Sequence, residues 1–570
     1  MFNFRPMNNL KDFIERKFGR KMTRLPAHAW SVYGLSFLLH KENSFEVLKE
    51  LSTNYDFHFD FLIDLTAIDW LDKYPDHRFE LIYQLFSLKY GHRLSLKVWL
   101  PNTEELEIDS VSEIWKSALC LESEVWDMYG IKFKNHPDLR RILLYDEFEG
   151  HPLRKDYPLN KKQPRHTNVT SSLQSRELDD ALHTQTMILN LGPSHPATHG
   201  TIRLQLELDS EIVQRCEVEL GYLHRGFEKQ CENVKYAQIV PYTDRLNYVS
   251  PIINNVGYCL AVEKLLNIEV PIRCQHIRVI MSELSRISDH LTCLGASAME
   301  LGAFTVMLYL MQAREYIYDL LEKVTGARVT CSYSVIGGVQ ADLPDGFKND
   351  VTECFKKVKK LVADSNNLLL RNRIFIDRME DIGIISKAEA LTYGLTGPML
   401  RACGVNYDVR KQFPYSSYEK YDFEIPLGEK GDNLDRFLIR LNEIEQSMKI
   451  VEQGFDRLRP GAITVADNKI VMLPKAEVYN SIEGLISQFG LVVGGIKPPA
   501  GEVYFPVEGG NGELGFYIVS DGTAQPYKIH VRPPCFVNIG IFGRLVEGHS
   551  VADVVAMFGM LNMIGGECDR

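Results

Sequence analysis

The sequence lacks any Cys-x-x-Cys pair, although it contains 11 cysteines among 570 residues. These cysteines are odd in number and widely scattered, which argues against the paired framework of a small disulfide-rich protein. The spacing also argues against a zinc knuckle or an iron–sulfur cluster ligated by this chain alone. We therefore expect reduced thiols in a cytosolic compartment and no metal held by this chain.

An excess of basic residues is also missing. The chain has 64 Lys and Arg against 75 Asp and Glu, which gives a formal net charge of -11. Proteins that bind nucleic acid draw much of their affinity from basic side chains that contact phosphates. Nucleic acid is therefore not expected as a main partner.

Long hydrophobic runs are absent as well. Charged residues interrupt the segment from Met1 to Gly19, so it contains no apolar core of a signal peptide. The most apolar stretches, 485–496 and 551–564, are broken by glycine and are shorter than the roughly 20 residues that a spanning helix needs. Any connection to a membrane should run through a partner protein.

The length and composition indicate a folded protein of several domains. The 570 residues are 45% hydrophobic and 24% charged, which is ordinary for globular proteins, and at roughly 150 residues per domain they suffice for about three or four domains. A polar stretch with little periodicity separates two parts. We predict an N-terminal domain over 1–158, a linker over 159–186 and a C-terminal domain over 187–570.

The N-terminal domain shows the pattern of an α+β fold. Apolar residues alternate over 79–85 and again over 94–100, with a turn signal at Tyr90-Gly91-His92 between them, which predicts a hairpin. Segments 9–18 and 44–51 show helical patterns. We therefore predict an α+β domain with an antiparallel sheet.

The C-terminal domain shows mainly helical periodicity. After a predicted strand at 202–208, apolar residues from Ile277 to Leu301 step by three and four, which predicts one long helix or a pair broken near Gly295. Further helices are predicted at 350–371 and 434–455, so the core should be a helical bundle with small sheets. The apolar stripe continues with Phe304, Leu308 and Met311.

The most unusual segment is 191–200, which places His195 and His199 among prolines and glycines. Histidines four apart on a helix can share a metal ion, but Pro196 disfavours the helical conformation at His195. A loop would instead present an imidazole that exchanges a proton near neutral pH. On this segment alone, two structural histidines in a turn are the favoured interpretation.

Other polar residues have both ordinary and functional interpretations. Arg225 and Glu228 could form a salt bridge on one helix face, which the local pattern favours. Tyr248 is by default a core residue whose hydroxyl needs a partner. Glu300, beside the apolar stripe, lies either on the wet face or points inward to a partner such as an imidazole, because an unpaired buried charge is too costly.

These segments closely resemble the D-type (49-kDa) component of NADH-quinone oxidoreductase, respiratory complex I. The N-terminal domain resembles the C-type (30-kDa) component of the same complex, so the whole chain resembles the fused C/D polypeptide of some bacteria. The D-like segments are 191–200, 221–229, 241–250, 261–271, 397–411 and 513–522, and the C-like segments are 64–67, 126–131, 136–141 and 150–158.

The resemblance implies a [NiFe]-hydrogenase large-subunit-like fold for the C-terminal domain and a peripheral-arm subunit of a proton-pumping NADH-quinone oxidoreductase. In this family the D-type and B-type subunits together enclose the quinone head group, and the terminal [4Fe-4S] cluster belongs to the B-type subunit. The implied location is the cytoplasmic side of the bacterial inner membrane. The implied partners also include the I-type, H-type and G-type subunits.

The resemblance also implies roles for individual residues. His199 and Tyr248 match the two quinone head-group ligands, and His195 lies on the same loop. Glu300 stands where the family usually has an aspartate paired with the loop histidine. Arg225 matches an arginine near the terminal cluster. Because imidazole titrates near ~6.5 and phenol near ~10, His199 is expected to be the easier proton source.

Two departures from the family pattern concern the cluster. The family commonly has a histidine where Thr330 stands and an arginine where Val335 stands. Losing polar or positive groups should lower the midpoint potential of the cluster, as would suit a low-potential quinone such as menaquinone. The sequence leaves menaquinone and ubiquinone both open as the substrate.

Two alternatives remain at this point. The related [NiFe] hydrogenases need four thiolates in two Cys-x-x-Cys pairs, whereas Cys403 and Cys568 are isolated. The chain could also be a scaffold subunit of a ferredoxin-dependent or hydrogenase-type membrane complex, without its own catalytic site. The sequence does not identify the electron donor. It contains no nucleotide-binding fingerprint, and the related complexes receive electrons from NADH, ferredoxin or other reduced carriers through other subunits.

Overall fold

The computed structural model describes residues 7–25, 34–71, 73–74, 77–102, 106–164, 173, 175, 177–179 and 184–570. The chain divides into two compact units. Unit 1 comprises Met1–Lys229, Gly383–Leu400 and Cys535–Arg570, and unit 2 comprises Gln230–Ile382 and Arg401–Pro534. Half of the predicted linker 159–186 lies outside the described residues, and the boundaries at 158 and 187 stay predictions. Among the described residues, no helix combines the length and apolar character that a bilayer crossing requires.

The helices follow in chain order. They are α1 (Met7–Phe18), α2 (Ser44–Thr53), α3 (Ala118–Tyr129), α4 (Phe227–Cys231), α5 (Tyr236–Thr243), α6 (Pro251–Leu266), α7 (Ile272–Glu300), α8 (Phe304–Thr325), α9 (Phe347–Leu369), α10 (Arg373–Asp377), α11 (Lys387–Thr392), α12 (Pro398–Ala402), α13 (Val409–Gln412), α14 (Asn433–Arg457), α15 (Lys475–Asn480), α16 (Ile482–Phe489), α17 (Pro534–Ile539), α18 (Phe542–Val546), α19 (Val551–Leu561) and α20 (Gly565–Asp569).

The strands are numbered in the same way. They are β1 (Met22–Arg24), β2 (Gly34–Leu39), β3 (Phe61–Asp69), β4 (Phe79–Ser87), β5 (His92–Leu100), β6 (Glu107–Asp109), β7 (Lys132–Lys134), β8 (Glu177–Asp179), β9 (Thr184–Gln185), β10 (Met187–Leu191), β11 (Arg203–Asp209), β12 (Ile212–Glu219), β13 (Ser334–Val335), β14 (Gly338–Val339), β15 (Gly501–Glu508), β16 (Glu513–Ser520) and β17 (Lys528–Arg532).

The largest sheet of unit 1 has the strand order β1-β2-β5-β4-β3. The predicted hairpin is confirmed as β4 and β5, which pair antiparallel, and Gly91 in its turn has a φ of 67°. The predicted α+β class is also confirmed. The predicted antiparallel sheet is found at three of its four strand pairings, whereas β2 and β5 run parallel. A hairpin pattern predicts only the pairing of strands that are adjacent in the chain. Strand β2 pairs with β5 although a helix and two other strands lie between them in the sequence.

A second sheet of unit 1 is built from β10, β11 and β12, with β11 in the centre. Strand β11 confirms the strand predicted at 202–208. The C-terminal segment packs against this sheet, and Ser550 forms an isolated bridge with Ile212. Helix α18 approaches so closely that a Cβ atom at Gly543 would lie 2.8 Å from the carbonyl oxygen of Cys216.

A buried carboxylate fixes the segment that follows α3. Asp127 is fully buried, and its Oδ2 accepts hydrogen bonds from the backbone N–H groups of Ile142, Leu143 and Leu144 at 3.0 to 3.1 Å. Its Oδ1 accepts one from Nη1 of Arg141 at 2.6 Å. This one side chain therefore satisfies a turn whose donors would otherwise lack partners in the interior.

In unit 2, α7 is one continuous helix, so the alternative of a pair broken near Gly295 is wrong. A Cβ atom at Gly295 would lie 2.7 Å from Cε of Met311 on α8, so this glycine allows two helices to pack closely. The predicted extension of the buried stripe is also wrong. The chain turns at Gly302, which has a φ of 85°, and Phe304 and Leu308 on α8 are 58% and 51% exposed.

Ion pairs cross the middle of unit 2. Glu283 on α7 is fully buried and accepts hydrogen bonds from Tyr418 Oη at 2.6 Å, Ser447 Oγ at 2.7 Å and Arg410 Nη1 at 3.1 Å. Arg286, one turn further along α7, lies 3.2 Å from it. Burial alone would raise the pKa of Glu283, but Arg286 and Arg410 lower it to about 2.

A second group of ion pairs centres on Arg401. Its Nε donates to Glu443 Oε1 on α14 at 2.7 Å, and its Nη1 donates to Glu508 Oε1 on β15 at 2.8 Å. The other oxygen of Glu443 accepts a hydrogen bond from His290 Nε2 at 2.8 Å. Arg401 thus overcomes the effect of burial and lowers the pKa of Glu443. These contacts connect α7, α14 and β15.

Replacing Asp127 should destabilise the fold. Asp127→Asn leaves the largely buried Arg141 without its anionic partner, and we expect the free energy of unfolding to fall by about 3 kcal/mol. Urea denaturation of the full chain measures this loss. Asp138→Asn is the matched control, because Asp138 forms an exposed pair with Arg140 that should contribute little. Equal stabilities of the two variants would contradict the role given to Asp127.

The lowered pKa of Glu283 predicts acid sensitivity. Its ion pairs should stabilise the protein fully above the ordinary glutamate pKa of about 4.3 and be lost as the pH falls toward about 2. Glu283→Gln should therefore lower stability at neutral pH and reduce the loss in acid. Denaturation curves between about pH 3 and about pH 7 test this. Glu353→Gln, on the exposed face of α9, should behave like the unmodified chain.

Candidate functional site

The two histidines of segment 191–200 lie in a constrained loop between β10 and β11. Gly192 enters the loop with a φ of 87°, and a Cβ atom there would lie 2.2 Å from the carbonyl oxygen of Ile202. Residues Pro196–Thr198 form a single 3₁₀ turn. The prediction of a loop rather than a helix is thus confirmed, and the helical geometry for a shared metal ion does not occur.

His195 begins this turn with an extended backbone, and its side chain is exposed. Its Nδ1 accepts a hydrogen bond from the N–H of Ala197 at 3.1 Å. A neutral imidazole whose Nδ1 accepts carries its proton on Nε2. The loop therefore presents a donor at Nε2 of His195.

His199 ends the turn in the left-handed conformation, with a φ of 53°, which is uncommon for a residue with a side chain. Its side chain is exposed. The ring meets the ring of Phe558 on α19 edge to face, with centroids 5.2 Å apart, and Phe558 in turn contacts Phe542. Aromatic packing from the C-terminal segment therefore orients the imidazole.

Arg225 lies on the exposed loop that precedes α4. The C-terminal segment holds this loop through Asp569, whose Oδ2 accepts from the N–H of Leu223 at 2.8 Å. The carbonyl oxygen of Asp569 lies 2.7 Å from Nδ1 of His224, which therefore donates. A Cβ atom at Gly221 would lie 2.3 Å from the carbonyl oxygen of Leu143, so the loop also packs closely on the C-like part of the chain.

The prediction that Arg225 and Glu228 lie on one helix face is wrong. Helix α4 begins only at Phe227, so Arg225 lies outside it. Glu228 forms an ion pair with Nε of Arg570 at 3.2 Å, and Arg570 also forms an ion pair with Glu124. The local pattern could not reveal this partner, because it lies at the other end of the chain.

Tyr248 lies on the segment that joins α5 to α6 in unit 2. Its neighbours Asn247 and Ser250 donate hydrogen bonds to Oδ2 of Asp289 on α7, at 2.8 and 2.7 Å. Tyr248 itself is 37% exposed, whereas Asn247 and Val249 are buried. The default expectation of a core tyrosine is therefore wrong, and the fixed backbone presents the phenol at the surface of the unit.

Glu300 is the last residue of α7 and is half-buried. The exposure of its side chain is therefore intermediate between the solvent-exposed and the buried carboxylate that the sequence left as alternatives. Tyr248 and Glu300 are both attached to α7, Tyr248 through Asp289 and Glu300 directly. His195, His199 and Arg225 belong to unit 1, whereas Tyr248 and Glu300 belong to unit 2.

Sequence reasoning missed Asp289, which holds the segment of Tyr248. The available signal was the run Ser288-Asp289-His290 between Ile287 and Leu291 of the apolar stripe. Asp289 is 1% exposed and His290 is fully buried. Polar residues flanked on both sides by core positions of a long helix point to partners in the interior.

The two departures Thr330 and Val335 both lie in unit 2. Thr330 is exposed and Val335 is half-buried. The carbonyl oxygen of Val335 accepts a hydrogen bond from Nη2 of Arg278 at 2.9 Å, and Arg278 pairs with Glu263 at 2.6 Å. The backbone at 335 is thus fixed by buried groups, and the side chain there can vary without loss of this contact.

Comparisons with known proteins agree on one family. The family model described as "Respiratory-chain NADH dehydrogenase, 49 Kd subunit" matches residues 300–570. The model described as "Respiratory-chain NADH dehydrogenase, 30 Kd subunit" matches residues 37–163. The two matches occur in the order that the sequence segments predict.

Individual relatives cover most of the chain. The C/D polypeptide of the NADH-quinone oxidoreductase of Bdellovibrio bacteriovorus is 45% identical over 518 residues, which is 90% of this chain and 91% of that protein. A D-type polypeptide of the same enzyme from Sorangium cellulosum is 52% identical over 69% of this chain and 99% of its own length. The D-type polypeptide of Myxococcus xanthus is 50% identical over 69% and 95%. The chain therefore belongs to the fused C/D family of NADH-quinone oxidoreductase, respiratory complex I, in which 30-kDa-type and 49-kDa-type units share one polypeptide.

Proposed function

We propose that this chain forms much of the quinone head-group pocket of its complex, with His199 and Tyr248 as the two head-group ligands. The observation that carries the proposal is the exposure of both side chains on backbones that buried contacts hold rigid. Binding residues lie disproportionately on loops that a rigid scaffold positions. Exposed donors on fixed loops thus suit a ligand supplied from outside the chain.

The chemistry of the two groups fits quinone reduction. A quinone that becomes a quinol takes up two electrons and two protons, and negative charge develops on its oxygens. Hydrogen-bond donors aimed at such oxygens lower the barrier. An imidazole ordinarily titrates near ~6.5 and a phenol near ~10, so His199 is taken as the easier proton source, while Tyr248 would give a hydrogen bond first and a proton only if it is reprotonated.

The remaining residues would support these two ligands. His195 would bind the head group through Nε2, since Nδ1 accepts a hydrogen bond from Ala197. Glu300 would pair with the loop histidine as the carboxylate that replaces the usual aspartate. Arg225 would place its positive charge near the terminal [4Fe-4S] cluster of the neighbouring subunit and so stabilise the reduced cluster.

The family fixes the setting of this proposal. The chain is a peripheral-arm subunit of an NADH-quinone oxidoreductase, and its partners are other subunits of complex I. The predicted likeness to the [NiFe]-hydrogenase large subunit is confirmed by the 49-kDa family match. We propose contacts with the B-type, I-type, H-type and G-type subunits on the cytoplasmic side of the bacterial inner membrane. The quinone would be a low-potential one such as menaquinone.

Removing either ligand should slow quinone reduction. His199→Ala and Tyr248→Phe are each expected to lower quinone reductase turnover of the assembled complex by about 100-fold, because a donor to a developing oxyanion is lost. The measurement is NADH-dependent quinone reduction. Electron transfer from NADH to an artificial acceptor upstream of the quinone should stay normal in both variants.

Tyr242→Phe is the matched control, because this half-buried tyrosine lies six residues before Tyr248. Its turnover should remain close to that of the unmodified complex. Normal turnover of both His199→Ala and Tyr248→Phe would contradict the proposal and favour a scaffold subunit without its own catalytic site.

The departures at 330 and 335 should be visible in the potential of the neighbouring cluster. Thr330→His and Val335→Arg are expected to raise its midpoint potential, because an added positive charge stabilises the reduced form. A redox titration followed by electron paramagnetic resonance measures this shift in the assembled complex.

Thr330→Asn and Val335→Met are the controls, since they change size and polarity without adding charge. Both should leave the potential unchanged. A potential in the unmodified complex as high as in ubiquinone-reducing members would contradict the assignment of menaquinone.

A further inference from the structure

Unit 2 contains a buried group of charges that the proposed quinone site does not use. We name it the Glu508 cluster, and its members are joined by hydrogen bonds or ion pairs across α7, the segment 401–410, α14 and β15. Every member is at most 3% exposed. The members are Glu283, Arg286, His290, Arg401, Asp408, Arg410, Glu443 and Glu508.

Glu508 ends β15 and is fully buried. Its Oε1 accepts a hydrogen bond from Arg401 Nη1 at 2.8 Å, and its Oε2 accepts one from the N–H of Val409 at 3.0 Å. Its carbonyl oxygen accepts from Arg286 Nη2 at 2.7 Å. Among the described residues, the side chain forms one ion pair, with Arg401, which it shares with Glu443.

The charges of the cluster do not balance. It contains four carboxylates and three guanidiniums, so it carries one negative charge in excess when all of them are ionised and the imidazole is neutral. An uncompensated charge in a dry interior is costly, and a carboxyl in that position normally binds a proton instead. One proton on a member of the cluster restores neutrality.

His290 is poorly placed to hold this proton. Its Nε2 donates to Glu443 at 2.8 Å, while Nδ1 has no hydrogen-bond partner among the described residues. A second proton on the imidazole would therefore leave a buried N–H unsatisfied.

Three of the four carboxylates are also poor candidates. Glu283 accepts from two hydroxyls and from Arg410, and Asp408 accepts from both Nε and Nη2 of Arg410. Glu443 accepts a hydrogen bond from Nε of Arg401. Guanidiniums overcome the effect of burial and lower the pKa values of all three.

Glu508 differs from the other three carboxyls. Burial and the neighbouring negative charge of Asp408 raise its pKa to about 7, against the opposing effect of Arg401. The elements packed around Glu508 bring the other cluster members, which lie on α7, on the segment 401–410 and on α14. They also bring the phenols of Tyr415 and Tyr418 and, on the paired strand β16, the carboxyl group of Glu513.

We propose that the Glu508 cluster is a proton-binding site that holds one exchangeable proton on the carboxyl group of Glu508 at neutral pH. The cluster then alternates between a neutral and a singly negative state. This assignment does not depend on where the quinone binds.

Infrared spectroscopy of the full chain labelled with ¹³C-glutamate tests the proposal. Burial also raises the pKa of Glu122 in unit 1 to about 7, so every chain compared carries Glu122→Gln. This reference chain should show the C=O band of a protonated glutamic acid below neutral pH, and the band should vanish as the pH rises through neutrality. Adding Glu508→Gln should abolish the band. Persistence of the band after Glu508→Gln, or its absence from the reference chain, would overturn the assignment.

Glu513→Gln is the matched control. Glu513 is also fully buried, lies opposite Glu508 in the β15–β16 pair and accepts a hydrogen bond from Tyr504. The band and its titration should be unchanged in this variant. Loss of the band in Glu513→Gln with retention in Glu508→Gln would assign the proton to Glu513 on β16 and overturn the proposal.

A second variant keeps the test decisive if Glu508→Gln does not fold. Asp408→Asn removes the negative neighbour of Glu508 and should move the midpoint of the band to lower pH by at least about one unit. An unchanged midpoint in a folded Asp408→Asn chain would show that the titrating carboxyl is elsewhere.

Discussion

Buried ion pairs connect the elements of unit 2, and this constraint determines much of its architecture. Glu283 on α7 binds Arg410, and Glu443 on α14 binds both His290 and Arg401. The contacts Glu283–Arg410 and Glu443–His290 join segments more than 100 residues apart in the chain. The contact Glu443–Arg401 holds α14 against α12. Because removal of one partner leaves a buried charge uncompensated, the elements are fixed together, and α7 keeps a defined position.

In unit 1, buried carboxylates accept hydrogen bonds from the backbone of loops. These loops in turn carry exposed side chains such as Arg225. Asp127 satisfies the backbone N–H groups of the turn at 142–144, and Asp569 accepts from the backbone of the loop that carries Arg225. His199 is oriented by the ring of Phe558. The segments that resemble the complex I family thus contain both kinds of residue, and only the exposed ones are candidates for binding a ligand.

The sequence predicted the elements better than their connections. The apolar stripe located α7, and the alternation located β4 and β5, because periodicity depends on neighbouring residues. The stripe could not distinguish a continuous helix from a broken one, since Gly295 is explained only by its packing against Met311. Asp289 and His290 escaped notice because their partners lie 42 and 153 residues away. Family resemblance named Tyr248, but only the structure showed its exposure.

Helix α7 connects the buried charges to the proposed site. It carries Glu283 and His290 within the Glu508 cluster, holds the segment of Tyr248 through Asp289, and ends at Glu300. The ten residues from His290 to Glu300 span about 15 Å at 1.5 Å per residue. Because one helix carries both groups, the buried charges that fix α7 also fix the backbone that presents Tyr248.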